Sequence, residues 1–319
     1  MNFTCKQDGR IDVLMSKELD KPRSQIEKFI KNIGIKINGK IVKKPGFKVK
    51  TGDEVEYETV LSEPSNPEYP VDFDIDILYE DEDMLVVNKP PFLTVHQAPS
   101  VKEATVVDWL KKKGIRLSTI SGEERHGIVH RIDKETSGAL AIAKSDDAHI
   151  ALAKQLENKT MGRYYLALID LPLKEDCIVS KPIARNPKNR LKMAVVEGGR
   201  EAKSAFVKLA LSKDGKKELI AAKLFSGRTH QIRVHLNHLN RHILGDSLYG
   251  FKSRNGKIER VMLHAYMLYL KHPVSKEELE IKAPLFDDFK SLLESNFKKE
   301  EIYEVLASDF IINRFNSVC

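Results

Sequence analysis

Residues 205–224 read Ala205-Phe206-Val207-Lys208-Leu209-Ala210-Leu211, then Ser212-Lys213-Asp214-Gly215-Lys216-Lys217-Glu218, then Leu219-Ile220-Ala221-Ala222-Lys223-Leu224. Two apolar, strand-like runs are joined by a short polar connection, far less than the dozen or so residues that a parallel crossover needs. They are therefore read as antiparallel neighbours. Further strand patterns lie on both sides of them. Met84 to Val87 is a buried strand ending in the turn Asn88-Lys89-Pro90-Pro91, and Ala139 to Ala143 is another. Tyr164 to Ile169, Ile232 to Leu236 and Met267 to Leu270 complete the set. Helical patterns are shorter: Thr105 to Lys113 around Trp109, and Asp147 to Glu157. Strands dominate and many connections are short, so the expected class is α+β, a mixed and largely antiparallel sheet.

The first sixty residues follow a different local logic. Ile11, Leu14, Met15 and Leu19 fall at helical spacing. After Pro22, Ser24 and Glu27 form a capping box that opens a second helix, with Ile26, Phe29, Ile30 and Ile33 on its core face. Gly34 stands where that helix stops. Ile35-Lys36-Ile37, Asn38-Gly39 and Lys40-Ile41-Val42 spell a hairpin with a type I′ turn. Residues 1–60 thus read as a small α/β domain and 61–74 as a linker carrying Pro64, Pro67 and Pro70. Residues 75–295 read as the main domain, and 296–319 as an appended helical tail with no function assigned to it.

Charge supports that division. The 319 residues carry 53 Lys and Arg against 46 Asp and Glu, a net charge of +7. Residues 1–50 hold thirteen basic and five acidic side chains, and residues 51–83 hold thirteen acidic and no basic ones. An acidic strip between two basic blocks marks a domain seam. Arg10, Arg23, Lys28, Lys31, Lys36, Lys43 and Lys44 are positioned to meet phosphates, which need cations on a fixed frame. The bland alternative is a solvated basic helix pair. The cysteines, Cys5, Cys177 and Cys319, are odd in number and far apart, so neither a disulfide framework nor a zinc spacing is present. Met1 leads into polar sequence, and no run reaches the roughly twenty apolar residues of a membrane span. A monomer in the reducing cytoplasm is expected.

Two stretches carry the chemistry. The first is His126-Gly127-Ile128-Val129-His130-Arg131-Ile132-Asp133-Lys134-Glu135-Thr136-Ser137-Gly138, where apolar residues give way abruptly to charged ones before a strand. A scaffold that delivers an arginine and an aspartate into a loop can aim them at a substrate, although the run alone reads equally well as a salt-bridged turn. The second is Gly227-Arg228-Thr229-His230-Gln231-Ile232-Arg233-Val234-His235. Alternation in a strand puts Gln231, Arg233 and His235 on one face. A guanidinium beside a carboxylate favours the ionised form that a nucleophile requires.

Together these stretches resemble the signatures of the RluA-type pseudouridine synthases, H-R-I-D-x-x-T-S-G at 130–138 and G-R-T-H-Q-I-R-V-H at 227–235. Asn88-Lys89-Pro90, Arg163-Tyr164-Tyr165-Leu166-Ala167-Leu168, Gly245-Asp246, Tyr249-Gly250, Leu263-His264-Ala265 and His272-Pro273 follow in the family's order. Residues 1–60 resemble the alpha-L RNA-binding domain in Arg10-Ile11-Asp12, Arg23-Ser24, Ile37-Asn38-Gly39-Lys40 and Val49-Lys50-Thr51-Gly52-Asp53. Arg185-Asn186-Pro187 and Lys192-Met193-Ala194-Val195 resemble the branch acting on large-subunit (23S) ribosomal RNA.

The resemblance implies a catalytic aspartate at Asp133, with Arg233 as its basic partner. It implies Tyr165 as the ring stacking on a flipped uracil, Arg131 as the arginine that takes the displaced base's place, and Leu263 as an apolar shelf. Lys89, Arg228 and Gln231 join them as substrate contacts. Asp133 would attack the sugar or the base, or remove a sugar proton. The resemblance also implies that uridine is isomerised without cofactor or metal. Gln97 and Asp170 depart from the pattern, standing where many relatives have proline and glycine. Tyr164 competes with Tyr165 for the stacking role, though only one can face a pocket. His230, His235, His238 and His242 cluster, but no cysteine or acid completes a zinc set. An RNA-binding protein with a decayed active site, or a hydrolase with Glu135 as its second carboxylate, are the competing readings.

Overall fold

The computed structural model describes the chain apart from residues 20–22, 59–68, 99, 123–124, 253–257 and 319, and apart from the side chains at 24 and 28. The Ser24 capping box, the Lys28 side chain and most of the 61–74 linker, with Pro64 and Pro67, lie outside the described residues. The chain divides into two compact units, Met1–Glu68 and Tyr69–Cys319.

In the smaller unit, β1 (Asn2–Thr4), β3 (Ile35–Ile37), β4 (Lys40–Val42) and β6 (Glu54–Glu56) form a sheet in the order β1-β6-β3-β4. The expected hairpin joins β3 to β4, with Asn38 and Gly39 both at positive φ (49° and 78°) as a type I′ turn requires. Helices α1 (Ile11–Glu18) and α2 (Arg23–Asn32) cover the sheet through Ile11, Met15, Ile26, Phe29 and Ile30. Ile33, expected on the core face of α2, is exposed. The helix ends at Asn32 and Gly34 turns the chain at φ +91°, so the helical period no longer governs Ile33. The short strands β2 (Gly9–Arg10) and β5 (Lys48–Val49) pair alongside.

The larger unit is built on one mixed sheet. Its strands in chain order are β7 (Asp76–Glu80), β8 (Met84–Lys89), β9 (Ser137–Ala143), β10 (Gly162–Ile169), β11 (Cys177–Ser180), the pair β12 (Ile183–Arg185) and β13 (Met193–Val195), β14 (Lys203–Leu211), β15 (Glu218–Leu224), β16 (Leu263–Lys271) and β17 (Glu278–Lys282). Excluding β12 and β13, they run β11-β14-β15-β10-β16-β9-β8-β7, with β17 on the far half of β16. The β14–β15 hairpin is antiparallel, Val207 facing Ala221, and β9–β16 is the parallel contact. At that contact a Cβ on Gly138 would sit 2.3 Å from the Ala265 carbonyl oxygen, so only glycine lets the strands meet.

Helix α3 (Val106–Lys112) opens with a Thr105–Asp108 capping box and packs Trp109 into the core, its Nε1 donating to Asp74. Helix α4 (Asp146–Glu157), capped by Ser145, lies on β9 through Ala148 and Leu152. Helices α6 (Asp287–Asn296), α7 (Lys299–Val305) and α8 (Ser308–Asn316) close the chain. Residues 296–319, read as a tail, contribute Phe297, Val305, Ile311 and Phe315 to the same core cluster as β10, β14 and β15. Phe315 meets the Tyr164 ring at 5.5 Å, so this segment belongs to the core. Among the described residues no helix is long and apolar enough to cross a membrane.

Residues 231–238 correct the sequence reading. They form helix α5 (Gln231–His238) where a strand was expected. Gln231, Ile232, Arg233, Val234, His235 and Leu236 are all buried and only Asn237 and His238 at its end are exposed, so the first six residues show no 3.6-residue alternation of polar and apolar faces. The Ile232/Val234 alternation mimics a strand. His230, in the left-handed region at φ 56°, starts the helix.

Candidate active site

Asp133 sits at the head of a turn, its carbonyl accepting from the Thr136 amide just before β9. That turn is fixed from beneath. Lys89 is fully buried and its Nζ donates to the carbonyls of Pro90 (2.7 Å), Leu93 (2.8 Å) and Lys134 (3.1 Å). Burial pushes Lys89 down to about 7, against the charge of Asp133. Three carbonyl acceptors require all three ammonium protons, so the geometry favours the charged form. Lys89, expected to touch substrate, instead clamps the loop that carries Asp133.

Across the pocket, Arg233 projects from α5. Its Nη1 lies 3.4 Å from Asp133 Oδ2, while Nε and Nη2 grip Asp246 at 2.7 and 2.8 Å. Burial lowers the basicity of Arg233, but the hydrogen bonds and charge of Asp246 outweigh it and hold the group above its ordinary value. Asp246 thus fixes the guanidinium, which can present its remaining edge to Asp133. Tyr249 completes this wall. Its ring lies 5.0 Å from the Arg233 guanidinium carbon, and its hydroxyl accepts from the Met193 amide. The same hydroxyl is 2.9 Å from His230 Nδ1, and His230 Nε2 is 4.0 Å from Asp133 Oδ2. With the hydroxyl donating to Nδ1, the neutral ring carries its proton on the nitrogen facing Asp133. Burial pushes His230 down and so favours that neutral ring, although the charge of Asp133 opposes the shift.

Asp133, Arg131, Arg163, Tyr165, Arg228, Gln231, Arg233 and Leu263 line one pocket. Tyr165 is buried, and burial raises its hydroxyl to about 12, so the ring that it places in the pocket wall is neutral. Tyr164 turns to Phe315 instead. Arg131 is exposed at the rim, and Arg228 is partly exposed with its Nε on the Glu201 carbonyl. Gln231 does not share a helix face with Arg233. Its Oε1 accepts from Ser226 and the Arg228 amide, and its Nε2 donates to Ser204 and the Lys203 carbonyl. All four positions are used, which makes Gln231 a brace for the 226–228 loop with nothing left for a substrate. Glu135 is half-buried, and burial raises its carboxyl.

The histidines separate: His235 bonds Ser204 and the Lys181 carbonyl, while His242 bonds Asp170. Asp170, an apparent departure from pattern, also accepts from the His242 amide. Among the described residues, Asp81, Asp83 and His272 come within metal-ligating reach of one another. Asp81 already accepts from Tyr79, His272 and two backbone amides, a complete structural role. In the smaller unit Arg10 and Arg23 both bond the fully buried Asp12, which they hold at about 2 against the effect of burial. Each stays about half exposed, Arg23 also pairs with Glu27, and Lys36 is exposed beside Glu56. Sequence reading assigned no role to Asp246, Tyr249 or His230; all three lay inside the quoted motifs.

Comparison with known proteins agrees with this architecture. Residues 83–238 match the RNA pseudouridylate synthase family model and residues 9–55 the S4 domain. A relative from Helicobacter pylori, described as an uncharacterized RNA pseudouridine synthase, is 47% identical over 96% of this chain and 95% of its own. A Zymomonas mobilis protein named ribosomal large subunit pseudouridine synthase D is 37% identical over 81% of this chain and 85% of its own. The solved structure of human RNA pseudouridylate synthase domain containing 1 is 26% identical with a TM-score of 0.56, over 77% of this chain and 98% of that one.

Proposed function

We propose that this chain, which belongs to the RNA pseudouridine synthase family and carries an S4 domain, isomerises specific uridines in large-subunit (23S) ribosomal RNA with Asp133 as the catalytic carboxylate. The observation that carries the reading is the Asp133 pocket itself. A carboxylate faces a guanidinium that a second carboxylate fixes, beside an aromatic ring and an apolar residue. A uridine must leave its stack before its glycosidic bond is reached, and the Tyr165 face offsets part of the unstacking cost. Arg131, exposed at the rim, takes the place the base vacates. Asp133 then acts on the nucleotide, the N1–C1′ bond breaks, the uracil turns, and C5 bonds to C1′. The C5 hydrogen leaves as a proton while N1 gains one, so no oxidant, group donor or metal enters the balance.

The choice of ribosomal RNA draws on the relatives named for the large subunit and on the 185–195 motifs. The smaller unit, with Arg10, Arg23, Lys28 and Lys36, would hold flanking RNA, in keeping with a cytoplasmic site of action. Mapping pseudouridines in ribosomal RNA from a strain lacking the gene tests this. Loss of defined large-subunit positions is expected. An unchanged large-subunit map, with sites lost from another RNA, would redirect the substrate assignment.

A further inference from the structure

Three arginines of the larger unit are buried among the described residues: Arg163, Arg233 and Arg260. Arg233 is gripped by Asp246 and Arg260 by Asp288. Arg163 differs. It is 7% exposed, makes no hydrogen bond or ion pair with any described residue, and its Nε is fully enclosed. Desolvation without a counter-charge is costly for a guanidinium, and burial accordingly lowers its basicity. Neighbouring His130 supplies no compensation. Its Nε2 accepts from the Ala141 amide, and burial pushes it down to about 3, so it stays neutral.

Arg163 stands between two concave surfaces of the larger unit. Arg163 lines both the Asp133 pocket and an adjoining groove. A Cβ on exposed Gly227 would lie 2.9 Å from its Nη1, so the exposed glycine backbone passes close against the guanidinium. Among the described residues the groove also presents Arg125, Arg131, Lys159 and Arg228, with Glu157 as the carboxylate beside them. Arg163 and Tyr165 are two apart on β10 and both reach the pocket.

We propose that Arg163, flanked by Arg131 and Arg228, is the seat of the RNA phosphodiester adjoining the uridine held over Asp133. This rests on the uridine-isomerase reading. A phosphodiester is the one anion that every substrate nucleotide brings, and it matches the planar guanidinium donors. The groove cations then set the strand's path while the buried arginine fixes its register.

The test compares full-length wild type with Arg163→Met and Arg163→Lys, using an unmodified large-subunit rRNA transcript. Thermal unfolding without RNA is measured, together with affinity over a salt series. For Arg163→Met we expect an unchanged or raised Tm, affinity weakened about tenfold or more, and a log–log salt slope reduced by about 0.7–0.9. Arg163→Lys should keep the slope and lose part of the affinity. An Arg163→Met protein that is destabilised or unfolded, or that loses affinity at an unchanged slope, overturns the proposal in favour of a structural role or a base contact. A wild type that binds the transcript but releases no C5 hydrogen would instead overturn the isomerase reading.

Discussion

Asp246→Asn removes the charge that holds Arg233 and leaves the surrounding shape intact. In the native pocket Arg233 is 5% exposed and spends two donors on Asp246, with a third edge 3.4 Å from Asp133. An asparagine in that place accepts at one atom only and turns a donor toward the guanidinium. Breaking one partner of a buried pair costs about 3–5 kcal/mol. For a unit of this size each kcal/mol lowers Tm by about 2–4 °C, giving a fall of about 6–20 °C. Arg233 should then swing onto Asp133, the nearest remaining anion, so turnover drops much further than RNA affinity. Calorimetry and single-turnover kinetics measure both effects. Replacing the pair by Arg233→Met with Asp246→Leu should recover much of the lost stability, because no charge is left buried alone, yet restore no activity. A fall below about 1 kcal/mol for Asp246→Asn would mean that Arg233 does not depend on this partner, and the bracing argument would fail.

Asp133→Asn should fold and bind RNA as wild type does while losing essentially all turnover, because an amide is neither nucleophile nor base; activity within about tenfold of wild type contradicts the assignment. Removing residues 1–68 deletes thirteen basic side chains, so RNA binding should weaken and its salt slope flatten; an unchanged slope would remove the RNA-holding role. His130 and His264 are buried and pushed down to about 3 and about 4. Their folded values lie below the unfolded value, so the unfolded chain takes up protons first as pH falls. Stability is therefore complete above pH about 6.5 and declines below it by about 1.4 kcal/mol per pH unit for each ring. Denaturant midpoints at pH 7 and pH 5 check this, and an unchanged midpoint would mean that both rings are protonated without cost.

How far the sequence revealed the site depended on whether a signal was local. The Asn38-Gly39 turn, the β14–β15 hairpin and the Thr105 helix start were legible because a few adjacent residues determine each. The arginine, tyrosine and aspartate of the pocket were legible through their motifs. Helix α5 was not, since its first six residues are all buried and show no polar face of helical period, and two branched residues then imitated a strand. The expected shared face of Gln231, Arg233 and His235 went with it, because face-sharing at a spacing of two holds only in strands. Lys89 was misplaced for a different reason: its three carbonyl acceptors come from backbone that the sequence cannot show. The pairing of Arg233 with Asp246, and the lack of a partner for Arg163 among the described residues, arise from long-range packing and emerge only in three dimensions.

The central claim is that the uracil is detached, turned and rejoined through C5, which forces the C5 hydrogen into solvent. RNA carrying tritium at C5 of uridine, incubated with the protein in buffer alone, measures that step directly. The account predicts release of tritium into water with strand length unchanged and no free uracil, and no release with Asp133→Asn. Free labelled uracil with an abasic strand, release that needs a methyl donor, or no release from RNA that is bound, would contradict it.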